Sequence, residues 1–200
     1  MKISTCNENL DEILFKKPVR AVIYGAAGSG KTNLLLSILK CSKVDDLAAI
    51  FISTEGMTFI NRVTRLSIET KNIYFALALS QDHLISLILD SLKYRTALII
   101  IDSINHLYRV EFKENGSRNP FTYLLVLLNS INEKGVTIIA SAQVRFDENT
   151  PAGFEYLEAW CDTMLELSVL PNKTRVLKII KPALKTSYKF VITDYGITWL

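Results

Sequence analysis

"YGAAGSGKTN", residues 24–33, places three glycines and a Lys-Thr pair directly after an apolar run at residues 19–24. Gly25, Gly30, Lys31 and Thr32 satisfy G-x-x-x-x-G-K-[ST], in a strand–turn–helix setting in which residues 31–41 read as the helix. Small residues at Gly25, Ala26, Ala27, Gly28, Ser29 and Gly30 let the backbone curl until successive N–H groups face one point. The helix N-terminus, opening at Lys31-Thr32-Asn33, adds the positive end of its dipole. The stretch predicts a cradle for nucleotide phosphates, with Lys31 against the β- and γ-phosphates and the Thr32 hydroxyl on Mg²⁺. A glycine-rich turn that holds no ligand is the competing reading of the same residues.

Working outward, residues 48–53, 97–101 and 136–140 are β-branched, apolar runs of strand length, each suited to burial on both faces. Helical stretches fall between them at 31–41, 82–94 and 120–133, with Asn119-Pro120 and Lys134-Gly135 as start and stop signals. Strand alternating with helix predicts a parallel sheet with right-handed crossovers. After Trp160 the pattern changes to strand-like runs at 163–170, 174–180 and 188–193, separated by short polar turns such as "PNK", which predicts an antiparallel extension. The expected fold is therefore α/β: a largely parallel sheet with helices on both faces, closed by antiparallel strands, in one domain over residues 1–200.

Composition narrows the class. Apolar residues make up 49% and charged residues 22% of the chain, which excludes disordered, collagenous and coiled-coil chains. A net charge of +3 is too small to mark a nucleic-acid protein by itself. Cys6, Cys41 and Cys161 are odd in number and lack CxxC spacing, which predicts reduced thiols. His83 and His106 lack a partner at zinc-ligand spacing. The polar N-terminus and the absence of an apolar run near about 18 residues predict a cytoplasmic protein without a membrane span.

Two acids and an amide end the buried strands. "ALIIIDS" delivers Asp102 to a strand end, where an acid holds Mg²⁺ through water and Ser103 approaches the γ-phosphate. "FISTEGMTF" places Glu55 at another strand end, where it can orient or deprotonate an attacking water. "SAQ" places Gln143 at the same edge as an amide sensor of the γ-phosphate. Turn capping by Asp102, helix capping by Glu55 and a surface Gln143 stand as the alternatives.

With these residues in order, the chain resembles the RecA/RadA recombinase ATPase core, most closely the short archaeal RadB-like or RadA paralogues. "FISTEGMTFINR" resembles that family's strand-Glu segment, "IIIDSINHLYRVEF" its Walker-B strand and sequel, and "GVTIIASAQV" its sensor strand. "NIYFALALSQDH", "GFEYLEAW" and "KPALKTSYKFVITDYGI" extend the likeness from about residue 9 to residue 200. The resemblance implies ATP and Mg²⁺ as cofactors, Glu55 as catalytic carboxylate with Lys31 and Gln143, Asp102 and Thr32 at the metal, and Arg62 packed on adenine. It also favours Lys181 as a cation acting on a neighbouring subunit's nucleotide.

The family's N-terminal helical domain and linker are not expected, because core signals begin almost at once. The loop after Gln143, with Asp147 and Glu148, is short and acidic where the family's DNA-binding loop is long and glycine-rich. The stretch at 109–120 reads as a loop offering Arg109, Lys113, Gly116 and Arg118 to phosphates, flanked by Tyr108 and Phe112. Lys173, Arg175, Lys178, Lys181, Lys185 and Lys189 concentrate positive charge in the closing strands, for DNA, for a second copy or to guard a sheet edge.

The resulting expectation is a slow, Mg²⁺-dependent ATPase serving homologous recombination and DNA repair. Its implied partners are ATP/ADP, single-stranded DNA, a full-length RadA-type recombinase and further copies of itself. A nucleotide-gated interaction module without DNA contact and a KaiC-like signalling ATPase are the alternatives.

Overall fold

A computed structural model describes residues 2–115, 120–144 and 150–200, with side chains outside 111–115. In chain order the elements are α1 (Glu8–Leu14), β1 (Arg20–Gly25), α2 (Lys31–Cys41), β2 (Ala48–Ser53), α3 (Phe59–Arg65), β3 (Ile73–Leu77), α4 (Gln81–Ser91) and β4 (Thr96–Asp102). Then follow α5 (His106–Asn115), α6 (Pro120–Glu133), β5 (Thr137–Gln143), α7 (Phe154–Trp160), β6 (Thr163–Val169), β7 (Arg175–Lys181), β8 (Ser187–Thr193) and β9 (Gly196–Trp199). The nine strands form one sheet in the order β3-β2-β4-β5-β1-β6-β7-β8-β9. β3 through β6 run parallel and β6 through β9 antiparallel, as the change of pattern after Trp160 predicts.

Alternation along the strands sends successive side chains to opposite faces. Ala21 and Ile23 of β1 pack with Leu34, Leu35 and Phe59 on one side. Val22 and Tyr24 pack with Leu84, Leu124 and Leu157 on the other. α6 shows the helical counterpart, burying Phe121, Leu124, Leu125, Leu128 and Ile131 on one stripe. In the extension, Leu177, Ile179 and Phe190 join the face that holds α2, while Lys178 and Lys189 stay exposed on the opposite face. Among the described residues no helix is long and apolar enough to cross a membrane.

Several expectations are corrected. Cys6 and Cys41 form a disulfide with Cα atoms 5.7 Å apart, so only Cys161 carries a free thiol. The backbone of Lys2 pairs with that of Lys43, which carries the N-terminal segment to the end of α2 and brings the two sulfurs together. Residues 106–115 form α5, so Arg109 lies on a helix where a loop is expected. The side chains of Phe112 and Lys113, together with Gly116, Arg118, Asp147 and Glu148, lie outside the described residues. Tyr108 stacks on Phe121 at 4.6 Å.

Candidate functional site

The carboxyl ends of β1, β2, β4 and β5 meet at one edge of the sheet. Register places Gly25 beside Gln143 and Ser53 beside Asp102. A cleft of about 230 Å³ opens there, walled by Gly28, Gly30, Lys31, Thr32 and Asn33, by Glu55, Arg62 and Phe59, and by Asp102 and Gln143. Sequence reasoning names all of these except Phe59, which packs its ring 5.0 Å from Phe51 and anchors α3 to the sheet. Glu55 and Arg62 are exposed at the cleft. Ala27 also lines the cleft, whereas Gly25, Ala26 and Ser29 form the wall of a separate cavity of about 400 Å³ beside Glu166. A larger cavity of 680 Å³ lies at the opposite edge, against Pro18, Gly135 and Thr137, remote from these groups. The smaller cleft holds the convergent polar chemistry and is the candidate site.

Two glycines are required by the loop's geometry. Gly30 caps α2 with φ 105°, in the left-handed region that L side chains rarely adopt. A Cβ on Gly25 would lie 2.2 Å from the carbonyl oxygen of Leu167. No side chain caps the α2 N-terminus, which leaves its first amides directed at the cleft mouth. Lys31 turns back on its own loop, donating to Gly25 O and Ala26 O at 2.9 Å each. Burial pushes its ammonium pKa down, against the pull of Asp102 and Glu55.

Asp102 is buried between two hydroxyl donors. Thr32 Oγ1 donates to its Oδ2 at 2.7 Å, and Ser141 Oγ donates to its Oδ1. Burial pushes the carboxyl pKa up, and the two hydrogen bonds oppose that rise. Thr32 and Asp102 therefore offer adjoining hard oxygen ligands beside an ammonium, the donor chemistry that suits Mg²⁺ retaining its waters next to phosphate.

The turn after β4 ties the remaining groups together. Ser103 is fully buried and its Oγ donates to Glu55 Oε1 at 2.5 Å. Thr54 Oγ1 donates to Ser103 O at 2.7 Å and accepts from Ser103 N at 3.0 Å. Asn105, also fully buried, receives Gln143 N on Oδ1 and donates to Gln143 O, both at 3.0 Å. Thr54, Asn105 and Ser141 escape sequence reasoning because short polar residues beside a motif carry no spacing signal of their own.

Two of the basic residues in the closing strands make contacts within the chain. Lys181 Nζ donates to Glu158 O and Cys161 O at 2.6 Å each, capping the C-terminal end of α7. Arg175 packs against the phosphate loop, its Nε 3.8 Å from where a Gly30 Cβ would lie.

The family model described as Rad51 matches residues 1–198. The DNA repair and recombination protein RadB of Methanosphaera stadtmanae is 32% identical, covering 96% of this chain and 93% of its own length. RadB of Methanococcoides burtonii is 30% identical over 98% of this chain and 96% of its own. RadB of Methanocaldococcus jannaschii is 28% identical over 94% and 98%.

Proposed function

This chain belongs to the Rad51 family with a RecA-like core of the RadB type, and from that premise we propose that it binds ATP with Mg²⁺ and hydrolyses it slowly. The proposal extends to a cytoplasmic accessory role in homologous recombination and DNA repair, with single-stranded DNA, a full-length RadA-type recombinase and further copies of the chain as partners. The observation that carries it is the 2.7 Å bond between Thr32 and Asp102 at the foot of the phosphate loop, with Glu55 on the same cleft.

The roles follow from positions. The amides at the start of α2 and the Lys31 ammonium bind the β- and γ-phosphates, while Arg62 covers the adenine and Gln143 reads the γ-phosphate. Thr32, with Asp102 through water, would hold Mg²⁺, which when bound neutralises charge on the phosphate oxygens. Glu55 accepts a hydrogen bond from the attacking water and aligns it; attack on the γ-phosphorus breaks its bond to the bridging oxygen and releases ADP and phosphate. Phosphoryl transfer depends chiefly on such positioning and charge stabilisation.

The test is ATP hydrolysis at low salt, with and without single-stranded DNA, against Lys31→Ala as the blank. Hydrolysis lost in Glu55→Gln with ATP binding retained supports the reading, and stimulation by DNA supports the recombination role. Hydrolysis no greater than the blank refutes the ATPase. Tight ATP binding without any response to DNA transfers support to a nucleotide-gated module that regulates a recombinase.

A further inference from the structure

We propose that Ser103 is a positioning residue that sets the rotamer of Glu55 for in-line attack by water. The inference rests on the ATPase reading above and deepens it. Three observations carry it. Ser103 is fully buried, so water does not compete for its hydroxyl, and that hydroxyl donates to Glu55 Oε1 at 2.5 Å. Thr54, the residue before Glu55, is bonded to Ser103 twice through one hydroxyl and donates its own N–H to Asp102 O at 2.8 Å. Glu55 itself is exposed, and no other described residue makes a hydrogen bond to its carboxylate.

An exposed glutamate on a loop samples several rotamers, and holding it in one costs side-chain entropy. The buried hydroxyl supplies that restraint through a charge-assisted bond. With Oε1 occupied, Oε2 is the oxygen left to accept from water. The Thr54 strap fixes the donor in turn, because the Ser103 backbone is anchored to the same strand end that carries Glu55. The consequence is a carboxylate fixed relative to Asp102, although Asp102 ends β4 and Glu55 lies in the loop after β2.

Ser103→Ala removes the donor and little volume. The experiment measures ATP turnover and, in Mg²⁺ buffer, the affinities for ADP and for ADP with aluminium fluoride, a mimic of the phosphoryl-transfer transition state. The expected result is a loss of about tenfold or more both in turnover and in the preference for the mimic, with ADP affinity within about twofold of wild type. Ser103→Cys, which keeps the size and a weak donor, is expected to fall between the two. In a Glu55→Gln background, where hydrolysis is already lost, Ser103→Ala is expected to leave the remaining preference for the mimic unchanged, since it acts through that carboxylate.

Unchanged turnover and preference overturn the proposal, as does a rise in turnover, which would make the bond a restraint on catalysis. An equal loss of ADP affinity also overturns it, because it marks collapse of the site. A wild-type chain that binds ADP without any preference for the mimic refutes the ATPase reading first, before a variant is made, and removes this proposal with it.

Discussion

Gly30→Ala tests the phosphate loop through two separable costs. The residue has φ 105°, so any L side chain there carries a left-handed penalty of roughly 1–2 kcal/mol. The added Cβ would also lie 2.7 Å from Ile192 Cδ1, the far end of a side chain on β8. Displacing that methyl costs about 1 kcal/mol, the low end of overpacking, because a flexible end moves more readily than backbone. The single variant should therefore lose roughly 2–3 kcal/mol in urea unfolding at unchanged m-value. Ile192→Val removes Cδ1 and by itself should cost about 0.5–1 kcal/mol. Combined, the two should cost about 1 kcal/mol less than their sum, because the methyl that clashes is the methyl deleted. Additivity within about 0.3 kcal/mol would refute the contact. A cost for Gly30→Ala below about 0.5 kcal/mol would refute the backbone requirement as well.

Two further predictions concern groups outside the cleft. Arg20 donates to both Asp162 oxygens, at 3.1 Å from Nε and 2.8 Å from Nη2, and holds that carboxyl below the usual range. A depressed folded pKa contributes stability that is full above the unfolded value near about 4 and is lost as pH falls from there through the folded value. Asp162→Asn should therefore flatten the stability profile between about pH 5 and 3 and cost roughly 1–2 kcal/mol at neutral pH, modest because the pair is partly exposed. A profile with unchanged slope would contradict this. Thiol titration should find no reactive group in the native oxidised chain, since Cys161 is buried with its pKa pushed up to about 11, chiefly by that burial. Mild reduction should release Cys6 and Cys41, and denaturation after reduction should raise the count to three. A native, unreduced chain with reactive thiols would remove the disulfide.

What the sequence disclosed follows from signal length. Residues 31–41, 48–53 and 120–133 are legible to the residue, because helical stripes and continuous apolar runs there leave one reading. The phosphate loop and the strand-end acids Asp102 and Glu55 are legible because fixed spacing or a strand terminus marks them. α1, α3 and α7 are each seven residues long, too short for periodicity to separate them from loops. β3 is an edge strand whose residues are half-buried, with Tyr74 exposed, so it lacks the apolar run of its neighbours. The disulfide joins residues 35 positions apart, and only the fold brings them together.

The groups proposed to hold nucleotide are bonded to one another across the cleft, and a phosphate would have to displace those bonds. Lys31 is spent on Gly25 O and Ala26 O, Thr32 on Asp102, Asp102 on Thr32 and Ser141, and Glu55 on Ser103. A triphosphate therefore gains from Lys31 only the difference between two charge–carbonyl bonds and the phosphate contacts that replace them. The α2 amides stand apart, because they have no side-chain cap to give up. Affinity should accordingly rest on those amides more than the charge of Lys31 suggests, while Lys31 contributes most where negative charge grows during transfer. Lys31→Ala should thus reduce turnover more than ADP affinity, and a loss of ADP binding equal to the loss of turnover would refute that division.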